Sequence, residues 1–191
     1  MSITGFVVLG ALLALLLYVV MIYNNLVRLK HNVSQAWSNI DVLLKQRHDE
    51  LPKLVETCKQ YMKHEREVLE NVTKARAAVG MARERGDVTT LGAAETVLRK
   101  GLFQLFAVAE NYPELKANES FQHLQNRITQ LEAQIADRRE YYNDTVNANN
   151  VRIEQFPDGM VASAFKFGPR PLLTFEQEEL KDVNVKSLFN S

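Results

Sequence analysis

Twenty consecutive residues, Ile3 to Ile22, contain only three outside the apolar set, Thr4, Gly5 and Gly10, and no charged side chain occurs before Arg28. As a helix rising about 1.5 Å per residue, this run reaches roughly 30 Å, the thickness of a bilayer's hydrocarbon core. The length predicts a transmembrane anchor over residues 1–27, with the lipid bilayer as the partner of residues 3–22. A cleaved signal peptide would need a basic start, a shorter apolar core and a small-x-small cleavage site, and the sequence offers neither the basic start nor the cleavage site. Cys58 lies too far downstream to be a lipid-modified cysteine at the end of the run. Gly10 and Ala14 form a small-xxx-small pair that would let two such helices approach closely, although both residues are common enough in spanning helices for chance to produce it.

Flanking charge sets the expected orientation. Arg28, Lys30, Lys45 and Arg47 follow the span, and only the α-amino group precedes it. The positive-inside rule then places the N-terminus outside and the larger C-terminal part in the cytoplasm, as a single-pass protein of the inner (plasma) membrane. Over the whole chain charge is balanced, with 23 Lys and Arg against 23 Asp and Glu, which removes the main electrostatic argument for a nucleic-acid binder, and no nucleic acid is expected. With 46% apolar and 24% charged residues, disorder and a collagen-like fibre are both excluded.

Residues 28–156 read as an antiparallel bundle of four helices, so the fold class is all-α. Leu26, Leu29, Val33, Ala36, Ile40 and Leu43 alternate steps of three and four, a helical stripe that Trp37 and Leu44 widen. A second stripe runs from Leu54 through Cys58, Tyr61, Val68, Val72, Ala75 and Val79, and stops at Gly86-Asp87. Leu91, Leu98, Leu102, Leu105 and Ala109 make a third, closed by Asn111-Tyr112-Pro113 because proline cannot continue the helical ladder. A fourth, capped by Asn118, carries Phe121, Leu124, Ile128, Leu131, Ile135, Tyr142, Val146 and Ile153. Pro52 is expected to open the second helix after a turn at Leu51-Pro52, a kinked continuous helix being the alternative. On the surface, Glu70 with Lys74 and Glu95 with Arg99 have i to i+4 spacing, which supports helices without implying partners.

From Pro157 the periodicity is lost, and residues 157–191 read as an irregular C-terminal tail. Pro157-Asp158-Gly159 is a turn signal, Gly168-Pro169-Arg170-Pro171 is extended, and Phe165, Phe167, Leu172, Leu173 and Phe175 offer apolar contacts. Exposing all of these would create a large apolar patch, which favours a tail packed back along the bundle over one held for a partner.

Reaction chemistry is hard to find. His31, His48, His64 and His123 are scattered, and His64-Glu65 lacks the second histidine of a zinc-protease helix. No Glu is followed by His three residues later, as a di-iron bundle would require. Nucleophile elbows and Gly-rich phosphate or dinucleotide loops are absent. Cys58 lies on an apolar stripe and reads as a small buried hydrophobe. The polar residues on or beside core stripes are Arg47, His48, Glu65 and Arg138. Arg138 must be paired, with a carboxylate such as Asp41 or Glu65 as a candidate partner, or must reach past its helix to water. Catalytic, cofactor-binding and metal residues are all read as none, no cofactor is expected, and no partner-binding residue is singled out.

Several segments resemble the LemA family. They are Tyr23-Asn24-Asn25-Leu26-Val27, Ala36-Trp37-Ser38-Asn39-Ile40-Asp41-Val42, Leu51-Pro52-Lys53-Leu54-Val55-Glu56-Thr57, Val72-Thr73-Lys74-Ala75-Arg76, Ala109-Glu110-Asn111-Tyr112-Pro113-Glu114-Leu115-Lys116 and Arg138 to Asn143. The resemblance covers residues 23 to about 157, and the tail after Phe167 is less similar. It implies a single-pass bacterial membrane protein with a four-helix bundle, favours a turn at Pro52, and supplies no catalytic residues to carry over. Some members are encoded beside membrane metalloproteases, so the resemblance adds such a protease to the expected partners.

Together these readings describe a membrane-anchored helical scaffold or adaptor of the bacterial envelope that binds a protein partner and has no catalytic activity of its own. The alternative is an accessory or regulatory subunit of a membrane protease in envelope stress. A second copy of the chain is a further expected kind of partner. An enzyme using Arg47, Glu65 and Arg138 is the third reading.

Overall fold

Three- and four-residue spacing of apolar groups becomes helix almost everywhere. The computed structural model describes residues 3–175, with α1 at Ile3–Tyr61, α2 at Arg66–Arg85, α3 at Val88–Ala109, α4 at Pro113–Lys116, α5 at Glu119–Glu154 and α6 at Asp158–Ala164, and no strand among the described residues. The fold is all-α with one long apolar N-terminal helix, and α1, α2, α3 and α5 are the four long helices. Their ends follow capping chemistry. Gly86 closes α2 in the left-handed conformation, at φ 65°, a backbone that glycine adopts without a Cβ penalty. Asp87 then caps α3, its Oδ1 accepting the Thr90 N–H at 3.0 Å. Asn118 caps α5 by accepting the Phe121 N–H at 3.0 Å, as its position predicts.

Pro52 does not start a helix. It lies inside α1, which runs unbroken from Ile3 to Tyr61, and the interruption comes ten residues later, at 62–65. The cause is visible in the residues themselves. Lys63-His64-Glu65-Arg66-Glu67 is a run of five polar side chains that leaves no apolar residue between Met62 and Val68, so no continuous apolar face holds a straight helix together there.

Contacts group the described chain into two units, residues 3–47 with 129–172 and residues 48–128 with 173–175. In the first, Ile22 and Leu26 of α1 pack on Val161 and Ala162 of α6, with Val19, Ile153 and Phe167 around them. The Tyr23 ring lies 4.8 Å from Phe165 and 5.8 Å from Phe167, while Trp37 meets Tyr142 at 5.6 Å. In the second, Leu54 and Cys58 of α1, Val72 and Val79 of α2, Leu98 and Leu105 of α3 and Phe121 of α5 are fully buried. Burial of one such large side chain contributes about 1.5–3 kcal/mol.

The described part of the tail packs back only in part: Leu173 is buried and Phe167 and Phe175 are half-buried, whereas Phe165, 56% exposed, and Leu172, 44% exposed, stay on the outside. Tyr142 donates its hydroxyl to the Pro171 carbonyl at 3.0 Å. Asn150 and Arg170 form a reciprocal pair: the Asn150 amide donates to the Arg170 carbonyl and its Oδ1 accepts the Arg170 N–H, both at 2.9 Å. In the second unit, Leu173 is buried and the Arg99 guanidinium stands 5.7 Å from the centre of the Phe175 ring. Pro157-Asp158-Gly159, a turn signal in the sequence, begins the seven-residue helix α6. The remainder of the expected tail, 176–191, lies outside the described residues.

Candidate membrane anchor and polar clusters

An apolar helix can be a membrane span or the core of a soluble domain, and burial separates the two. Only 6% of the most apolar eighteen-residue window of α1 is buried, at a mean hydropathy of 2.8. Side chains such as Leu12 and Leu16 stand exposed, and the change to burial falls at Ile22, where the apolar run ends. A segment with this much exposed apolar surface would not be stable in water without a cover. The apolar surface continues beside it. α6 turns Val161 and Ala162 towards Ile22 and Leu26 and leaves Met160, 67% exposed, on the outside, as is Phe156, 84% exposed, just before the helix.

The polar residues singled out by the sequence go to separate environments. Arg47, 1% exposed, makes a 2.5 Å contact to Oε1 of Glu132, which is 21% exposed. Glu65 accepts the Tyr112 hydroxyl at 3.3 Å. Desolvation, followed by the Glu65 charge and this hydrogen bond, raises the Tyr112 pKa above the ordinary phenol value. Arg138 is exposed, so of the two expected outcomes it takes water. The stripe on α5 passes through Leu131, Ile135, Arg139, Tyr142 and Val146, one position beyond Arg138. Asp41 is half-buried and has a partner of its own.

Of the histidines, His31, His64 and His123 are exposed and His48 is half-buried. A Cβ on Gly80 of α2 would lie 3.1 Å from the His48 ring. Among the described residues no group of three or more His, Cys, Asp and Glu is placed to hold a metal ion. Cys58 is a buried hydrophobe, as its stripe position predicts, and burial pushes its thiol up to about 12.

Three structural features were not drawn from the sequence. Glu95 is fully buried in α3 rather than on a solvated face, and the signal was available, since it falls four residues after Leu91 and three before Leu98. Asp158 is buried and contacts Arg152 Nε at 2.6 Å; its Oδ1 is not aligned as a hydrogen-bond acceptor, so this is a charge contact. Gly92 receives the Thr174 carbonyl so closely that a Cβ there would be 2.1 Å from the oxygen. That approach joins residues far apart in the chain, and no local pattern announces it.

The magnetosome proteins MamQ 2 and MamQ 1 of Paramagnetospirillum magneticum (strain ATCC 700264 / AMB-1) are each 23% identical to this chain over 170 residues. MamQ of Magnetospirillum gryphiswaldense (strain DSM 6361 / JCM 21280 / NBRC 15271 / MSR-1) is 22% identical over the same length. In each case the similarity covers 77% of this chain and 62% of the relative, so the chain spans under two thirds of those proteins. The LemA family profile matches residues 36–187, beginning later than the resemblance in sequence and running through the tail that looked less similar. With an exposed apolar helix before it and an all-α fold throughout the described residues, this membrane-associated chain belongs to the LemA family.

Proposed function

We propose that the protein is a non-catalytic scaffold or adaptor of the bacterial envelope, anchored by residues 3–22 and presenting its helices to a protein partner. The observation that carries this reading is the continuity of α1. The helix that exposes the apolar run enters the packed core at Ile22 and Leu26 without a linker, so a partner bound to that core is held at a fixed distance from the bilayer rather than on a flexible tether.

The orientation belongs to the same proposal: bundle in the cytoplasm, N-terminus outside, in the inner membrane. Support comes from Arg28 and Lys30 after the span and from Lys166 and Arg170, which α6 and the following turn bring back beside Lys30. A reporter active only in the cytoplasm, fused after Ser191, is expected to be active, and activity solely of an exported counterpart would overturn this orientation.

The partner is tested by placing a photocrosslinking residue at Phe103, which is exposed on α3, and at other exposed apolar positions of the helices. A reproducible adduct with one envelope or cytoplasmic protein is expected. Absence of adducts from every position, in membranes containing the intact chain, would refute the adaptor reading, and an adduct with a membrane metalloprotease would identify the accessory-subunit form of it.

A further inference from the structure

We infer that the groove beneath the anchor is a binding site for the phosphate of an anionic phospholipid. Four basic or ionisable nitrogen side chains, Lys30 and His31 from α1 and Lys166 and Arg170 from the segment after α6, line a groove of about 320 Å³. Its walls include the Tyr23 and Phe167 rings, and among the described residues no Asp or Glu lines it. In a chain whose charges balance overall, the described residues put no counter-charge within this cluster. This inference rests on the reading that residues 3–22 cross a bilayer.

Position selects a lipid as the occupant. Lys30 is eight residues beyond Ile22, about 12 Å along the helix. Helical side chains lean towards the N-terminus, and a lysine stem reaches about 6 Å, so the ammonium arrives within the headgroup layer that borders the hydrocarbon core. The groove is continuous with the anchor, because Tyr23 packs on Phe165 and Phe167 directly below the exposed run.

Lys166 is an independent sign. α6 ends with the Phe167 N–H donating to the Ala162 carbonyl at 2.9 Å, and Lys166 sits in the left-handed region at φ 58°. This is the helix-ending position that glycine ordinarily fills. A lysine there carries backbone strain that a glycine in the same helix end would avoid, and strain of this kind marks functional positions.

The test uses the full chain purified in detergent and titrated with palmitoyl-oleoyl phosphatidylglycerol or the corresponding phosphatidylcholine, with retained lipid counted by native mass spectrometry. Phosphatidylglycerol is expected to be retained at least tenfold better. Each basic residue near an anionic lipid surface is worth roughly fivefold in affinity, so K30Q/K166Q/R170Q is expected to lose on the order of a hundredfold. K53Q/K59Q/K63Q, an equal charge change away from the groove, is expected to retain the preference. Lys166→Gly relieves the strained backbone and so keeps the fold, yet is expected to bind phosphatidylglycerol about fivefold less well. Equal retention of the two lipids, or equal losses in the two triple variants, would overturn the assignment. Displacement of phosphatidylglycerol by equimolar glycerol 3-phosphate would assign the groove to a soluble phosphate and overturn it as well. Failure of the anchor itself would read out separately, as release from phosphatidylcholine vesicles in alkaline carbonate.

Discussion

Arg76 of α2 donates its Nε–H to the main-chain carbonyl of His48 in α1 at 2.9 Å. In an unbroken helix that carbonyl would accept the N–H of residue 52, four positions on, and residue 52 is proline. The arginine therefore supplies, from a neighbouring helix, the hydrogen bond that Pro52 cannot make. Two segments that carry the family resemblance, Leu51 to Thr57 and Val72 to Arg76, meet through this contact.

Arg76→Met is expected to cost about 1–2 kcal/mol, because it leaves a shielded carbonyl without a donor. In a Pro52→Ala background the new N–H at 52 satisfies His48, and the same Arg76 change is expected to cost about 1 kcal/mol less. Chemical unfolding of the four proteins of this cycle measures the coupling. Strictly additive effects would show that Arg76 has nothing to do with tolerating Pro52.

The Arg47–Glu132 contact of 2.5 Å makes a different prediction. Glu132→Gln removes the charge opposite a guanidinium that is almost wholly buried and is expected to destabilise the fold by about 3 kcal/mol. The double change Arg47→Met with Glu132→Leu removes both charges and fills the space, so it is expected to recover most of that loss. A double variant as unstable as Glu132→Gln alone would assign the loss to packing instead.

Much of this architecture is legible in the sequence because helix periodicity is local. The anchor, the caps at Asp87 and Asn118 and the stop before Pro113 all depend on residues within one or two turns of each other. Pro52 misled for the same reason: its local rule is helix-breaking, and the compensation comes from Arg76, 24 positions away. The polar run from Lys63 to Glu67 is a weaker local sign, and the break at 62–65 overlaps it. Groove residues Lys30 and Lys166 are joined only by the return of the chain after α5, so no pattern in either segment reveals the site they form.

Gly92 predicts how firmly the tail is held. An alanine Cβ would stand 2.1 Å from the Thr174 carbonyl oxygen, and main chain cannot yield there while Leu173 stays buried. Helix propensity alone would make Gly92→Ala stabilising by up to about 1 kcal/mol, but losing the burial of Leu173 costs about 1.5–3 kcal/mol. The net expectation is a loss of roughly 1 kcal/mol, with faster amide exchange at 173–175. Leu173→Ala is expected to release the same residues. A more stable Gly92→Ala protein with an unchanged tail would contradict the close approach.

Cys58 supplies a pH dependence whose sign can be worked out. Burial raises its pKa from 9.0 to about 12, so the folded chain keeps the neutral thiol where the unfolded chain ionises. Below about pH 9 both states are protonated and the group adds no pH dependence. Between about pH 9 and 12 the unfolded state alone loses the proton, and stability falls by roughly 1.4 kcal/mol per pH unit. Tyr112 and Tyr142 also have raised pKa values, but they are shared with a Cys58→Ala variant. The difference between the unfolding curves of the native chain and Cys58→Ala therefore isolates the thiol, and it is expected to be flat from pH 7 to 9 and to shrink steadily above that. The same burial predicts no maleimide labelling of the folded chain at pH 7 and complete labelling in denaturant. Rapid labelling of the folded chain would place Cys58 at an opening of the core that the packed helices do not have.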